Sequence, residues 1–226
     1  MKRYVIRSYI EMGRILVALL LVLTAAGCQA PVHAAKAKPA TVESVALQPG
    51  DLAGFQRCSE SGDVSAVLSA EKSTNPGEYD LNATEWAQWR MQGASDAYFA
   101  AYGRTASDCE ALSPAGTGAP SGGMIIALIV EFKSTATAVR TYSASSTLLG
   151  FGPRDTAFIR LVGGTLLTGS GTGFGPLSVI GSGTATGDTF YVAFWQNKAF
   201  DSFLIAYNVA AADAQTAANR VNDRIR

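Results

Sequence analysis

An α+β fold is what this sequence predicts: a single domain whose antiparallel sheet of about five strands, a hairpin plus a three-strand meander, carries packed helices, one of them C-terminal. Three observations carry that expectation. The run MIIALIVEF at 124–132 is continuous, β-branched and apolar, as a central buried strand is. The runs LSVIGSGT, TFYVAFWQ and AFDSFLIAY follow one another with Gly187-Asp188 and Asn197-Lys198 at the bends, the signature of a meander. Ala214, Ala217, Ala218, Val221 and Ile225 recur at helical spacing near the end of the chain, with Arg220, Arg224 and Arg226 placed to complement the helix dipole.

Taken in order, the domain opens on SVALQPGDLAGF, with Pro49 and Gly50 as turn residues. STNPGEYD reads as a turn cluster, after which Asn82 or Thr84 caps a short helix, TEWAQWRMQ. Trp86 and Trp89 are three apart, share a face of that helix and read as core anchors. ASDAYFAAYGR fits either a strand or more helix; a strand is preferred because it can pair with 124–132 across a long turn-rich loop. KSTATAVRTYSASSTLLGF reads as a helix capped by Ser134 or Thr135, with Ala138, Tyr142 and Ser145 or Ser146 on one side and Gly150 as its stop; Pro153 bars continuation. In the meander, Phe190, Val192 and Phe194 point one way and Tyr191, Ala193 and Trp195 the other, so both sheet faces need cover.

Ahead of the domain lies a different kind of segment. Lys2, Arg3, Arg7 and Arg14 precede the apolar run ILVALLLVLTAAG and then Cys28, the pattern of a bacterial export signal. TAAGC at 24–28 resembles the lipobox of bacterial lipoproteins, which implies cleavage before Cys28, acylation of its sulfur and membrane anchoring through lipid. The alternative is an ordinary signal cut after Ala34. The predicted organisation is therefore a signal peptide at 1–27, lipidated Cys28 and a tether at 28–42, and one extracytoplasmic domain at 43–226. Residues 29–42 form a flexible tether reaching on the order of 20 Å.

Composition narrows the functional classes. From Cys28 onward 14 Lys and Arg face 17 Asp and Glu, and no basic patch suited to phosphates occurs, so nucleic acid is not an expected partner. Cys58 and Cys109 are the even remainder after Cys28 and read as a disulfide in an oxidising compartment, contributing about 4 kcal/mol in the chain-entropy model; a reactive thiol needs an activating base nearby. His33 lies in the tether and is the single histidine, so neither a Ser-His-Asp or Cys-His arrangement nor a zinc site built on imidazole is available in the domain. SAEK at 69–72 fits Ser-x-x-Lys but lacks the companion elements of penicillin-binding proteins. No catalytic residue, metal site or cofactor is expected.

Residues 163–187 hold nine glycines without a Lys, Arg, Asp or Glu, which excludes a P-loop; the spacing also excludes a Rossmann turn. The stretch reads as connection and strand-edge punctuation, with Gly175 extended before Pro176. Phe151 and Phe174, flanked by glycines, are candidates for a ligand-lined mouth. Tyr98, Tyr102, Phe174, Tyr191 and Trp195 form the candidate ligand-binding set, against the alternative of plain core packing.

IIALIVEFKSTATAVRTY and ADAQTAANRVNDRI are similar to the strand-helix and closing-helix segments of extracytoplasmic sensor-type domains found on actinobacterial serine/threonine kinases and on bacterial lipoproteins. The chain departs from the kinase sensors in having two candidate disulfide cysteines in place of four and no kinase segment. The resemblance implies a lipid-anchored, extracytoplasmic binding or sensor-like domain without catalytic activity, whose partner is a small molecule or an envelope protein. The alternative is a structural or assembly subunit of a cell-envelope complex.

Overall fold

The computed structural model describes residues 39–111, 122–144 and 153–225. In chain order the elements are α1 (Val42–Val45), β1 (Gln56–Arg57), β2 (Gly62–Asp63), α2 (Val64–Thr74), α3 (Pro76–Met91), β3 (Ala94–Gly103), α4 (Ala106–Glu110), β4 (Met124–Phe132), α5 (Thr135–Ala144), α6 (Pro153–Leu161), β5 (Thr165–Thr168), a 3-10 turn (Gly169–Thr172), β6 (Ser178–Ala185), β7 (Asp188–Asn197), β8 (Phe200–Tyr207) and α7 (Ala211–Arg224). They belong to one unit, Pro39–Arg226. The fold class is α+β, with an antiparallel sheet and a C-terminal helix, as the sequence predicts.

Local chemistry sets most of these boundaries. Asp63 caps α2 by accepting from the amides of Ser65 at 2.8 Å and Ala66 at 3.4 Å. Pro76 starts α3 at the position where its missing N–H costs nothing, so STNPGEYD is the junction of two helices rather than a turn cluster. The helix expected to start at Asn82 or Thr84 therefore begins earlier; the Thr84 hydroxyl instead donates back to the Asp80 carbonyl at 2.7 Å. Thr105 and Asp108 form a capping box on α4. Ser134 caps α5, accepting from the amide of Thr137 at 3.2 Å. The expected stop at Gly150, Phe151 and Ser145 or Ser146 lie outside the described residues. Pro153 opens α6, a helix that the sequence did not mark.

The sheet runs β1-β3-β4-β8-β7-β6-β5, with β2 also paired to β3 and every pairing antiparallel. The five predicted strands are β3, β4, β6, β7 and β8. Three short strands extend them, too brief to show alternation in the sequence. The turns of the meander fall one residue from their expected places: Thr186-Gly187 joins β6 to β7, and Lys198-Ala199 joins β7 to β8. Thr186 and Gly187 both adopt positive φ, 53° and 95°, which matches the turn to the twist of its strands.

β1 and β2 lie end to end along the outer edge of β3. Between them the Ser61 hydroxyl takes the place of a strand, accepting from the Ala101 amide at 2.9 Å and donating to the Ala101 carbonyl at 3.0 Å. Cys58, whose amide donates to that carbonyl at 2.9 Å, is bonded to Cys109 of α4, with their Cα atoms 5.3 Å apart.

Both faces of the sheet are covered. On one, α1 and α7 pack over the central strands. Ala214, Ala217, Ala218, Val221 and Ile225 are all buried, and their small side chains let α7 lie close to β7. Arg224 does more than answer the dipole: it forks onto the buried Asp51 carboxylate and donates to the Ala46 carbonyl at 3.1 Å, while Arg220 donates to the Gly50 carbonyl at 2.7 Å. Together they hold the N-terminal segment against the last helix. Arg226 lies outside the described residues. On the opposite face α2 and α3 cover β3, α5 crosses β4, β8 and β7, and α6 lies on β6 and β5. Phe194 stacks on Tyr142 with centroids 4.4 Å apart, and Phe190 meets Phe158 at 5.8 Å.

The glycine-rich stretch now has a physical reason. A Cβ at Gly164 would stand 2.5 Å from the Ser182 carbonyl oxygen, and one at Gly181 would drive into the Ile159 side chain of α6. These glycines let α6 sit directly on the sheet.

Candidate functional site

Helices α2 and α3 form a hairpin that leans over β3 without sealing it, because the faces they turn to the sheet are only half-buried. On α2, Val64, Val67, Leu68 and Glu71 recur at three- and four-residue spacing; on α3, Asn82, Glu85, Trp86 and Trp89 do the same. No residue of α2 is fully buried. The two rows, the Ser59–Gly62 loop, Phe99 of β3 and Leu128 of β4 enclose a groove of about 640 Å³. That volume lies in the range of small-molecule sites, which are apolar with a few polar groups.

The tryptophans sit differently within it. Trp89 is buried at the hairpin base against Ala94, Ala97, Val130 and Ala138, as expected of a core anchor. Trp86 is half-buried, meets Trp89 edge-on with centroids 6.3 Å apart, and shows ring surface to the groove. Its ring also carries the Arg90 guanidinium 5.8 Å from the centroid.

Three carboxylates complete the lining. Glu71 accepts from the Asn82 amide group at 3.1 and 3.0 Å. Glu85 is partly withdrawn from water, and desolvation pushes its carboxyl above the ordinary range. Glu60 has one carboxylate oxygen, Oε2, buried without a hydrogen-bond partner. Among the described residues no Lys or Arg lines the groove, and no group of three His, Cys, Asp or Glu is placed to hold a metal ion.

The aromatic residues proposed from the sequence as a binding set lie elsewhere, and this is a correction. Tyr98, Tyr102, Phe174, Tyr191 and Trp195 all belong to the core under α1 and α7, each no more than 6% exposed. Their polar atoms are largely committed inside it: the Tyr102 hydroxyl donates to the Leu47 carbonyl at 3.1 Å, the Tyr191 hydroxyl donates to Gln215 at 2.9 Å, and Arg57 donates to the Tyr98 hydroxyl. Phe174 is no mouth residue, since it stacks on Trp195 at 4.7 Å; Gly175 beside it has φ +109°. Alternation along β3 and β7 identified which residues share a face. It carried no information on which face would be covered completely. Phe151 lies outside the described residues, as do Cys28 and His33.

Away from the groove, Asp201 of β8 is a deeply buried carboxyl. It is 1% exposed, its Oδ1 has no hydrogen-bond partner, and burial pushes its pKa up to about 8. It lies on the α5 side of the sheet, opposite Val130 and Gln196, near Tyr142, whose hydroxyl is also raised by burial.

Comparison with known proteins adds little. No protein-family model and no curated protein matches the chain. Among solved structures, the extracellular domain of PknH from Mycobacterium tuberculosis is similar at 10% sequence identity, over 83% of this chain and 97% of that one, with a TM-score of 0.45. A likeness of that degree carries no functional argument, which rests on the geometry of this chain.

Proposed function

We propose that this chain is a non-catalytic binding domain exported from the cytoplasm, held at the membrane by lipid on Cys28, and that its ligand occupies the groove between the α2–α3 hairpin and the sheet. The observation that supports this reading is the groove itself, a half-open apolar space of about 640 Å³ with Trp86 in its wall. The sequence supports the setting: a basic and apolar leader, the lipobox-like TAAGC, and a cysteine pair suited to an oxidising compartment. It supplies no histidine to the domain for acid-base work. Native mass spectrometry of the protein purified from its own membrane should find a small molecule travelling with it. Trp86→Ala should remove that molecule while its melting curve shows the protein still folded, with only a modest loss of stability. A Trp86→Ala protein that keeps the molecule places the site elsewhere. For the anchor, Cys28→Ala should leave the chain unprocessed or released; an unchanged membrane fraction with an N-terminus at Ala35 would refute lipidation.

A second reading has an observation of its own. One turn apart on α6, Leu161 is 84% exposed and Phe158 47%. Apolar side chains grouped in this way favour a protein partner, and hence an assembly subunit of the envelope. Leu161→Asp should then abolish a cross-linked complex without affecting any ligand of the groove.

A further inference from the structure

We infer that the groove takes an organic cation with an apolar body, of the alkylammonium or arylammonium class. The inference rests on the groove being the binding site and adds the chemistry of its occupant. Two features lead to it. The walls supply the apolar half, since Val64, Val67, Leu68, Phe99 and Leu128 surround a space with the Trp86 ring at one side. An indole face is also the best aromatic platform for a cation, and this one already accepts Arg90 from the outside.

The polar groups supply the charge. Every ionisable side chain lining the groove among the described residues is acidic: Glu60, Glu71 and Glu85. Cations nearby are engaged elsewhere. Arg90 donates to the Ser95 carbonyl at 2.6 Å, Arg57 to the Tyr98 hydroxyl, and Lys72 lies over the Tyr79 ring at 5.6 Å. Glu71 is held in place by Asn82, whereas Glu60 keeps a buried oxygen without a partner. Burying a carboxylate oxygen with nothing to satisfy it is unfavourable, and a bound cation or N–H donor would relieve that cost. Glu85 behaves in keeping with this, because desolvation raises its pKa and a cation beside it would bring the value back down. A metal ion is the poorer fit, since the carboxylates do not converge. An anion would meet only like charge.

The test compares three surfactants of one chain length on the full chain, each below its micelle concentration: decyltrimethylammonium, decyl glucoside and decyl sulfate. Binding is read from the fluorescence of Trp86 and Trp89, Trp195 being fully buried in the other core. Decyltrimethylammonium should bind about tenfold or more tightly than decyl glucoside, equivalent to at least about 1.4 kcal/mol, with decyl sulfate weakest. The preference should grow as pH rises through the raised titration of Glu85. The double variant Glu60→Gln, Glu85→Gln should reduce the ratio of cationic to neutral affinity to near one. Leu68→Lys, which places an ammonium in the groove from α2, should exclude the cationic probe; melting curves confirm that each variant is folded. Equal affinity for all three probes, or a preference for decyl sulfate, overturns the cation assignment while leaving the groove as a binding site. Failure of every probe to bind overturns both.

Discussion

Replacing Asp201 by Asn should make the protein more stable at neutral and alkaline pH and leave it unchanged in acid. The side chain is 1% exposed with an unpartnered oxygen, and its pKa rises from 3.8 to about 8 because charge there is desolvated. The folded state therefore keeps a proton that the unfolded chain releases near pH 4. Between pH 4 and 8 the unfolded state binds fewer protons, so stability falls as pH rises across that window and levels off beyond it. At 1.36 kcal/mol per pH unit the full effect is on the order of 5 kcal/mol. Asparagine matches the protonated acid in shape and does not titrate, so it removes this slope. Urea denaturation of both proteins from pH 3.5 to 9 supplies the assay, and the difference between them cancels the contribution of every other carboxylate. The curves should coincide near pH 4 and separate progressively toward pH 8. A difference that is independent of pH, or that shrinks as pH rises, would refute the assignment of a buried neutral acid.

Three further outcomes are expected. Replacing Cys58 and Cys109 by Ser should lower stability by about 2–5 kcal/mol in chemical denaturation, with free thiols in both positions of the native protein as the contrary result. Arg224→Ala leaves the buried Asp51 carboxylate with the Gln48 amide and the more distant Arg220 guanidinium at 3.9 Å and should cost about 1–3 kcal/mol, because Arg224 itself is 27% exposed. Gly181→Val should cost about 1–3 kcal/mol or lift α6 from the sheet, visible as faster amide exchange along Pro153–Leu161; a neutral effect would mean that Ile159 can move aside.

The parts of the fold legible in the sequence are those where one physical demand acts alone. β4 is covered at least in part on both faces and reads as an unbroken apolar run; α7 buries one stripe and shows five small or branched apolar residues at helical spacing. The hairpin α2–α3 was less legible. Its inner faces serve a half-open groove, so no α2 residue is fully buried and carboxylates interrupt the apolar row. Trp86 and Trp89 were the available signal. Their spacing gave the shared face and the correct place of Trp89, but not that Trp86 would line a space. Helix α6 was concealed for another reason: it packs on glycines, so neither it nor its sheet partner carries the apolar pattern that marks an interface. The tyrosine set failed as a site because burial along a strand is decided by what crosses it, and α1 and α7 come from opposite ends of the domain.

The bond between Cys58 and Cys109 has a consequence beyond the free energy of folding. Strand β3 is ten residues long, and its outer side is occupied by two strands of two residues each, with Ser61 filling the gap between them. Such fragments have little hold of their own, and the cross-link is what fastens them at mid-length. In an oxidised chain the outer edge of β3 is thus covered from Tyr98 to Gly103. In a reduced chain β1, β2 and the Ser61 bridge would be free to peel away, uncovering a row of amides and carbonyls that another copy could pair with. The cysteines then act as a guard against self-association, and loss of the bond should show first as concentration-dependent aggregation rather than as unfolding.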